Sequence, residues 1–194
     1  MIFRKDIPGW LHDSEISTVE RLCNLIPEGK DVLEIGPFAG RTTQIFAQLC
    51  ESRIIYSIDP WPIMEPPQVW TGMVCYDGPD FNTNDTKKIF HSEIVDKFSN
   101  VIPIHGRFPE DYPTEYTTNL GLVHWDTDNV TAVEDIDNEL HAAWNILPVG
   151  GILSGHTFAY WMSNVVQAVR HFAIEKNVDV ILPPSGSMWY MVKP

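Results

Sequence analysis

The sequence predicts an α/β fold, a mainly parallel sheet covered by helices on both faces to give three layers. Three observations predict it. Short apolar, β-branched runs alternate with longer stretches in which apolar residues recur every three or four positions. The first run, DVLEI (31–35), opens straight into the glycine turn Gly36-Pro37-Phe38-Ala39-Gly40, after which the pattern turns helical. The polar residues of chemical interest fall where such runs stop. In a parallel sheet that is the carboxyl end of a strand, the side on which ligands bind.

The elements follow in order. Residues 13–26 set Ile16, Val19, Leu22, Cys23 and Ile26 at helical spacing, with Asp13 or Ser14 as cap and Pro27-Glu28-Gly29 as terminator. The first strand is 31–35, and the helix after Gly40 carries Ile45, Phe46 and Leu49 on one side. The second strand, RIIYSID (53–59), is rich in β-branched and aromatic residues. Segment 60–82 then interrupts the alternation with five prolines, two tryptophans and two methionines. A connection of that length and composition reads as a lid or binding loop. A helix over 83–98 precedes the third strand, 100–104, and the fourth is LGLVHWD (120–126). Val130, Val133, Ile136, Leu140, Trp144 and Leu147 mark a helix that Pro148-Val149-Gly150-Gly151 ends. A short fifth strand (152–154), a helix (160–176) and two runs around PPSGS (178–182 and 188–192) complete the chain, the last two as an antiparallel pair.

The 194 residues are expected to form one domain, 1–194, with an N-terminal helical extension, 1–29, and the lid at 60–82. Asp and Glu total 26 against 13 Lys and Arg, a formal net charge of −13. That balance argues against nucleic acid and against anionic membrane surfaces, both of which are bound through clustered cations. Cys23, Cys50 and Cys75 match no zinc or redox spacing, no leader-like core follows the first residues, and no apolar run is long enough for a membrane span. The expected location is cytoplasmic.

At the strand ends, the GxxxG spacing of Gly36 and Gly40 differs from the GxGxxG that cradles a pyrophosphate, and a bulky Phe38 sits between. Asp59 lies 19 residues beyond Gly40, where such folds accept ribose hydroxyls. Together they predict a nucleoside without a diphosphate.

DVLEIGPFAGRTT followed by YSIDPW resembles the opening of the class I S-adenosylmethionine-dependent methyltransferases. The likeness is closer to a subgroup that includes small-molecule and sugar O-methyltransferases, and it runs through HGRFPED (105–111) and LGLVHWDTDNVTAVEDID to the terminal SMWYMVK. The resemblance implies a Rossmann-like sheet of strand order 3-2-1-4-5-7-6 with the last strand antiparallel. It implies S-adenosylmethionine as cofactor and a small-molecule acceptor methylated at a hydroxyl, a sugar being the family-level expectation. Glu34, Gly36 and Gly40 would surround the methionine moiety, with Pro37, Phe38, Arg41 and Thr42 of the same turn. Asp59 would hold the ribose, Gly106 and Arg107 would lie near the adenine, and Trp61 would pack on the adenine or shape the lid. Asp126 would stand at the mouth.

WDTDN resembles the family stretch Asp-Gly-Asp-His, whose first aspartate is a ligand in relatives that use a divalent cation. In those relatives a His-Asp or Asp-Asp pair after the fifth strand supplies the others. Here that stretch is Gly155-His156-Thr157, so a cation is disfavoured, with Asp126 its ligand if one is used. Asp128 and His156 are then the candidate bases for the acceptor proton. Asp128 has the alternative role of capping the next helix, and His156 that of a hydrogen-bonded residue in a buried loop. Two other functions stay open: a cofactor-binding protein on a catalytically degenerate scaffold, favoured by Thr127, Asn129 and Thr157, and an NAD-dependent enzyme, disfavoured by the missing GxGxxG. The Pro/Trp-rich flap is also a candidate dimer surface.

Overall fold

A computed structural model describes residues 3–71, 76–127 and 132–194. The predicted alternation becomes a six-stranded sheet plus a two-residue hairpin. The strands are β1 (Asp31–Ile35), β2 (Ile55–Asp59), β3 (Val69–Trp70), β4 (Phe81–Asn82), β5 (Val101–His105), β6 (Leu120–Trp125), β7 (Ile152–Gly155) and β8 (Trp189–Val192). The helices are α1 (Ile16–Leu25), α2 (Thr43–Leu49), α3 (Thr86–Phe90), α4 (Val133–Ile146) and α5 (Ser163–Lys176). Sheet order is β5-β2-β1-β6-β7-β8, parallel throughout except for β8, which runs antiparallel to β7. In predicted strand numbers this is 3-2-1-4-5-7.

The predicted sixth strand keeps its place and loses its length. Only Ile181 bridges Tyr190, through N–H to carbonyl bonds of 2.8 and 3.0 Å in the two directions. Pro183 and Pro184 follow and have no N–H to extend the ladder, which confines this segment to an exposed edge.

The period of two along each strand divides the core. Leu33 and Ile35 of β1, Val123 and Trp125 of β6, and Leu153 of β7 face α4 and α5 with Ile136, Leu140, Val169 and Phe172. Val32, Leu122 and Ile152 face the other way, onto Val19 and Leu22 of α1 and Ile45 and Phe46 of α2. Each of these side chains contributes about 1.5–3 kcal/mol by leaving water. Glu34 and His124 share the α1/α2 face with Val32 and Leu122, so this polar pair is buried by strand parity.

Two local features depart from the expected elements. The first helix opens with a 3-10 turn, Asp13–Glu15, and its cap is His12, not Asp13 or Ser14: His12 accepts from the Ser14 N–H while Glu15 accepts from the His12 N–H. After α3 the chain widens into a π-helical turn, His91–Val95. No helix among the described residues is long and apolar enough to cross a membrane.

Candidate functional site

The carboxyl ends of β1, β2 and β6 meet at the glycine turn. Gly36 (φ 81°) is required there because a Cβ would collide with the backbone carbonyl of Asp126, where β6 ends. Phe38 takes a left-handed conformation (φ 54°) that is costly for a bulky residue. The turn is held in that shape from β2. Asp59 accepts the Phe38 N–H at 3.1 Å and the Trp61 N–H at 2.6 Å, and the Trp61 indole N–H returns to the Phe38 carbonyl at 2.7 Å. At Gly40 (φ 96°) a Cβ would strike Ile94 of the π-helical turn.

Beneath the turn, Glu34 is 1% exposed and accepts hydrogen bonds from Thr43 Oγ1 (2.6 Å) and Ser57 Oγ (3.2 Å). Burial raises its pKa to about 8; those two hydroxyls oppose the rise, and the Asp126 and Asp59 carboxylates add to it. Asp59, at the rim, is raised by burial to about 6 although the Trp61 and Phe38 N–H groups favour its charge. At neutral pH the mouth therefore holds an ionised Asp59 above a protonated Glu34.

The second cluster forms where β6 and β7 end. His156 is buried, with Nε2 at 3.1 Å from both carboxylate oxygens of Glu15 and Nδ1 at 3.6 Å from Asp126 Oδ1. Carboxylates only accept, so the His156 Nε2–H donates to Glu15, while Nδ1 lies beyond hydrogen-bond distance of Asp126. Burial opposes a positive charge on the ring, and Asp126 and Glu15 overcome it, lifting the His156 pKa to about 10. Glu15 is 2% exposed, and burial works against its ionisation too. His156 and the N–H groups of Ser187 and His12 prevail and hold it at about 2. Glu15 thus ties the N-terminal 3-10 turn, the β7 end and the 187 loop together.

The predicted site residues divide accordingly. Glu34, Gly36, Phe38, Asp59, Trp61 and Asp126 converge at the strand ends, and Pro37 is buried in the turn between them. Gly106 follows β5, its N–H bonded to the Asp59 carbonyl at 3.1 Å; Arg107 is exposed beside it. Thr42 is buried at the start of α2. The Arg41 side chain turns away: its guanidinium donates to the carbonyls of Leu11 (2.9 Å), Lys5 (2.9 Å) and Ile7 (3.0 Å) and straps the N-terminal segment to α2. His156 lies buried between the Glu15 and Asp126 carboxylates. Asp128 lies outside the described residues. His124 is a neutral core residue, with Nδ1 at 3.0 Å from Ser154 Oγ and burial lowering its pKa to about 4. Trp125 is core as well, its indole N–H donated to Glu139 at 2.6 Å.

An aromatic group roofs the turn. Trp10 packs tilted against Phe38 (5.2 Å) and edge-to-face against Trp70 of β3 (4.9 Å), and Phe81 of β4 meets Phe38 edge-on (6.0 Å). The 60–82 segment also donates the Asp77 N–H to the Lys5 carbonyl at 3.0 Å, joining it to the strapped N-terminus.

A divalent cation does not suit these residues. The imidazolium of His156 occupies the flank of Asp126, and the Thr157 hydroxyl is spent on the His156 carbonyl at 2.7 Å. Among the described residues, no three His, Cys, Asp or Glu side chains are arranged to hold a metal ion. The rim is acidic, and the buried Thr127 hydroxyl has no partner among the described residues.

No family model matches the sequence, and no curated protein matches it. Solved structures do. A putative caffeoyl-CoA O-methyltransferase from Staphylococcus aureus superimposes with a TM-score of 0.68 at 11% identity, over 97% of this chain and 86% of that one. The O-methyltransferase TomG from Streptomyces achromogenes, solved with SAM, gives 0.62 at 14% identity over 95% and 82%. CalS11, a TDP-rhamnose 3'-O-methyltransferase, gives 0.62 at 17% identity over 92% and 78%. An rRNA methylase from Streptococcus thermophilus also matches, at 0.58 and 11% identity over 91% and 94%. The chain has the class I methyltransferase fold.

Proposed function

We propose that the chain is an S-adenosylmethionine-dependent methyltransferase that modifies a small-molecule acceptor at a hydroxyl oxygen. The observation that carries the proposal is the Asp59 carboxylate, fixed at the end of β2 by two backbone N–H groups and facing the glycine turn. A carboxylate so held accepts both hydroxyls of a ribose, and the acidic surroundings attract a ligand bearing a sulfonium and an ammonium. When bound, S-adenosylmethionine supplies the electrophilic methyl group. The chain's own work is alignment and exclusion of water. Asp59 and the 36–40 turn orient the nucleoside, the Trp10–Phe38–Trp70 group covers the turn, and Asp128 is the candidate base for the acceptor proton. A small acceptor suits the net charge of −13 better than RNA does.

Isothermal calorimetry with S-adenosylhomocysteine is the direct test. Binding that is lost in Asp59→Ala supports the proposal, and no heat at millimolar ligand sinks it. One observation favours a second reading, a cofactor-binding protein without turnover: the Asp126 and Glu15 carboxylates flank His156 and raise its pKa, which makes it a poor base. Tight S-adenosylhomocysteine binding without methyl transfer across a library of hydroxyl acceptors would select that reading.

A further inference from the structure

We infer that the outer face of the helical stretch 83–95 binds a phosphate group of a small ligand, in a shallow basin set on Lys87, Lys88 and His91. That this ligand is the methyl acceptor rests on the methyltransferase reading; the anion site itself does not. Asn84, Lys87, Lys88 and His91 recur at i, i+3, i+4 and i+7, so the 3-10 turn Thr83–Asp85, α3 and the π-helical turn carry them along one side. With Ser92 they line a basin of about 520 Å³, and Asp96 lines its far end, about two turns beyond Lys88.

Unpaired positive charge in an acidic chain singles this face out. Asp and Glu outnumber Lys and Arg 26 to 13, and most of the cations are engaged. Arg4 pairs with Asp6 and Glu93, Lys5 with Asp13, Lys97 with Glu93 and Lys176 with Glu175. Arg41, Arg53 and Lys193 donate to backbone carbonyls. Among the described residues, neither Lys87 nor Lys88 forms an ion pair with a carboxylate. Lys87 is nevertheless held in place. Its ammonium donates to His105 Nδ1 at 3.0 Å, so the His105 proton sits on Nε2 and is donated to the Pro60 carbonyl at 2.8 Å. Lys87 Nζ also lies 5.8 Å from the centre of the Trp61 ring. The basin therefore begins one side chain away from the Asp59–Trp61 rim. Asn84 is fixed as well, since its amide exchanges hydrogen bonds of 2.8 and 3.1 Å with the Met64 backbone and keeps one N–H. Phosphate oxygens take several donors at once, and a lysine binds them as a point charge without demanding one geometry. A single phosphate matches the two ammonium groups. A polyanion would have to run past Asp96 over a chain of net charge −13.

The test titrates glucose 1-phosphate, inorganic phosphate and glucose into the full chain by calorimetry at low salt. Glucose 1-phosphate is expected to bind with a Kd of about 1 mM, inorganic phosphate within about threefold of it, and glucose not at all. Lys88→Gln, at an exposed side chain, and Lys87→Gln should each weaken glucose 1-phosphate by about three- to tenfold. Lys30→Gln, at a lysine bonded to Asn119, should change nothing. Absence of binding in wild type, or binding unchanged in both basin variants, overturns the inference, and Lys88→Gln keeps that arm decisive even if Lys87→Gln does not fold. A short RNA bound more than about tenfold tighter than glucose 1-phosphate, and weakened by the same substitutions, would make the face a polyanion contact and overturn the small-ligand assignment. Wild-type S-adenosylhomocysteine binding is measured alongside. Its absence overturns the methyltransferase reading, while the phosphate result still decides the anion site.

Discussion

Replacing Glu34 by Gln is expected to stabilise the protein, and increasingly so as the pH rises. Glu34 is buried on the α2 side of β1, and its pKa moves from 4.5 to about 8, with burial as the main cause. The sign follows from proton binding. Below pH 4.5 the carboxyl is protonated folded or unfolded and costs nothing. Between 4.5 and about 8 the unfolded chain releases the proton and the folded one keeps it, so stability falls as pH rises; above 8 the loss is complete. At about 1.4 kcal/mol per pH unit the full interval is worth about 5 kcal/mol. Gln keeps a carbonyl oxygen for Thr43 and Ser57 and never ionises. Glu34→Gln should therefore match wild type within about 1 kcal/mol at pH 5 and exceed it by up to about 5 kcal/mol at pH 8.5. For a domain of this size that is about 10–20 °C in melting temperature. Scanning calorimetry at the two pH values measures it. An equal difference at both, or destabilisation only at pH 8.5, would show that the carboxyl is not held neutral by burial.

Asp59, raised to about 6, must be ionised to accept two ribose hydroxyls. S-adenosylhomocysteine affinity should therefore fall about tenfold between pH 7.5 and pH 5. Asp59→Asn should bind weakly with no such fall, as calorimetry at the two pH values would show. Arg41→Met leaves the carbonyls of Lys5, Ile7 and Leu11 without their buried cation. A loss of about 3–5 kcal/mol is expected, with earlier proteolytic cleavage before residue 12; unchanged urea unfolding and cleavage would refute the strap. Gly40→Ala adds a Cβ into Ile94 at a positive φ and should cost about 1–3 kcal/mol. Pairing it with Ile94→Ala should relieve the steric part, which a double-mutant cycle would detect.

Much of this was legible because the signals are local. DVLEI, RIIYSID and LGLVHWD are short, apolar and bounded by turn residues, and each became a strand: β2 ends on Asp59, while β1 and β6 stop at Ile35 and Trp125, one residue before Gly36 and Asp126. The sixth strand shrank because its exposed edge meets two prolines. Arg41 looked like part of the turn, since sequence shows adjacency but not that its side chain leaves for carbonyls 30 or more residues away. Glu15 was missed for the same reason in stronger form. Locally it is an acid in the first turn of a helix, a favourable place for any carboxylate. Its partner His156 is 141 positions away. Only the HxxE spacing of His12 and Glu15, a capping box with histidine in the usual Ser/Thr place, marked the residue as fixed. His156 was visible as a candidate, but its charge was not, because that depends on two carboxylates supplied by other segments.

The cost carried by Glu34 becomes intelligible once a cationic ligand is considered. Asp126 and Asp59 are near enough to raise the Glu34 pKa, so a ligand that neutralises either should lower it. S-adenosylmethionine brings two positive centres, and on the proposed reading they come to this acidic mouth. At pH 7 most Glu34 carries a proton before binding, and part of that proton should leave as the ligand arrives. Calorimetric titration at pH 7 in phosphate and in Tris, whose ionisation enthalpies differ widely, should therefore give different apparent enthalpies, corresponding to release of a fraction of a proton. Glu34→Gln should abolish the buffer dependence while preserving binding. S-adenosylhomocysteine, which lacks the sulfonium charge, should release less. Buffer-independent heats in wild type would mean that Glu34 does not sense the ligand. The carboxyl would then be a structural hydrogen-bond acceptor for Thr43 and Ser57, which Gln could replace without consequence for binding.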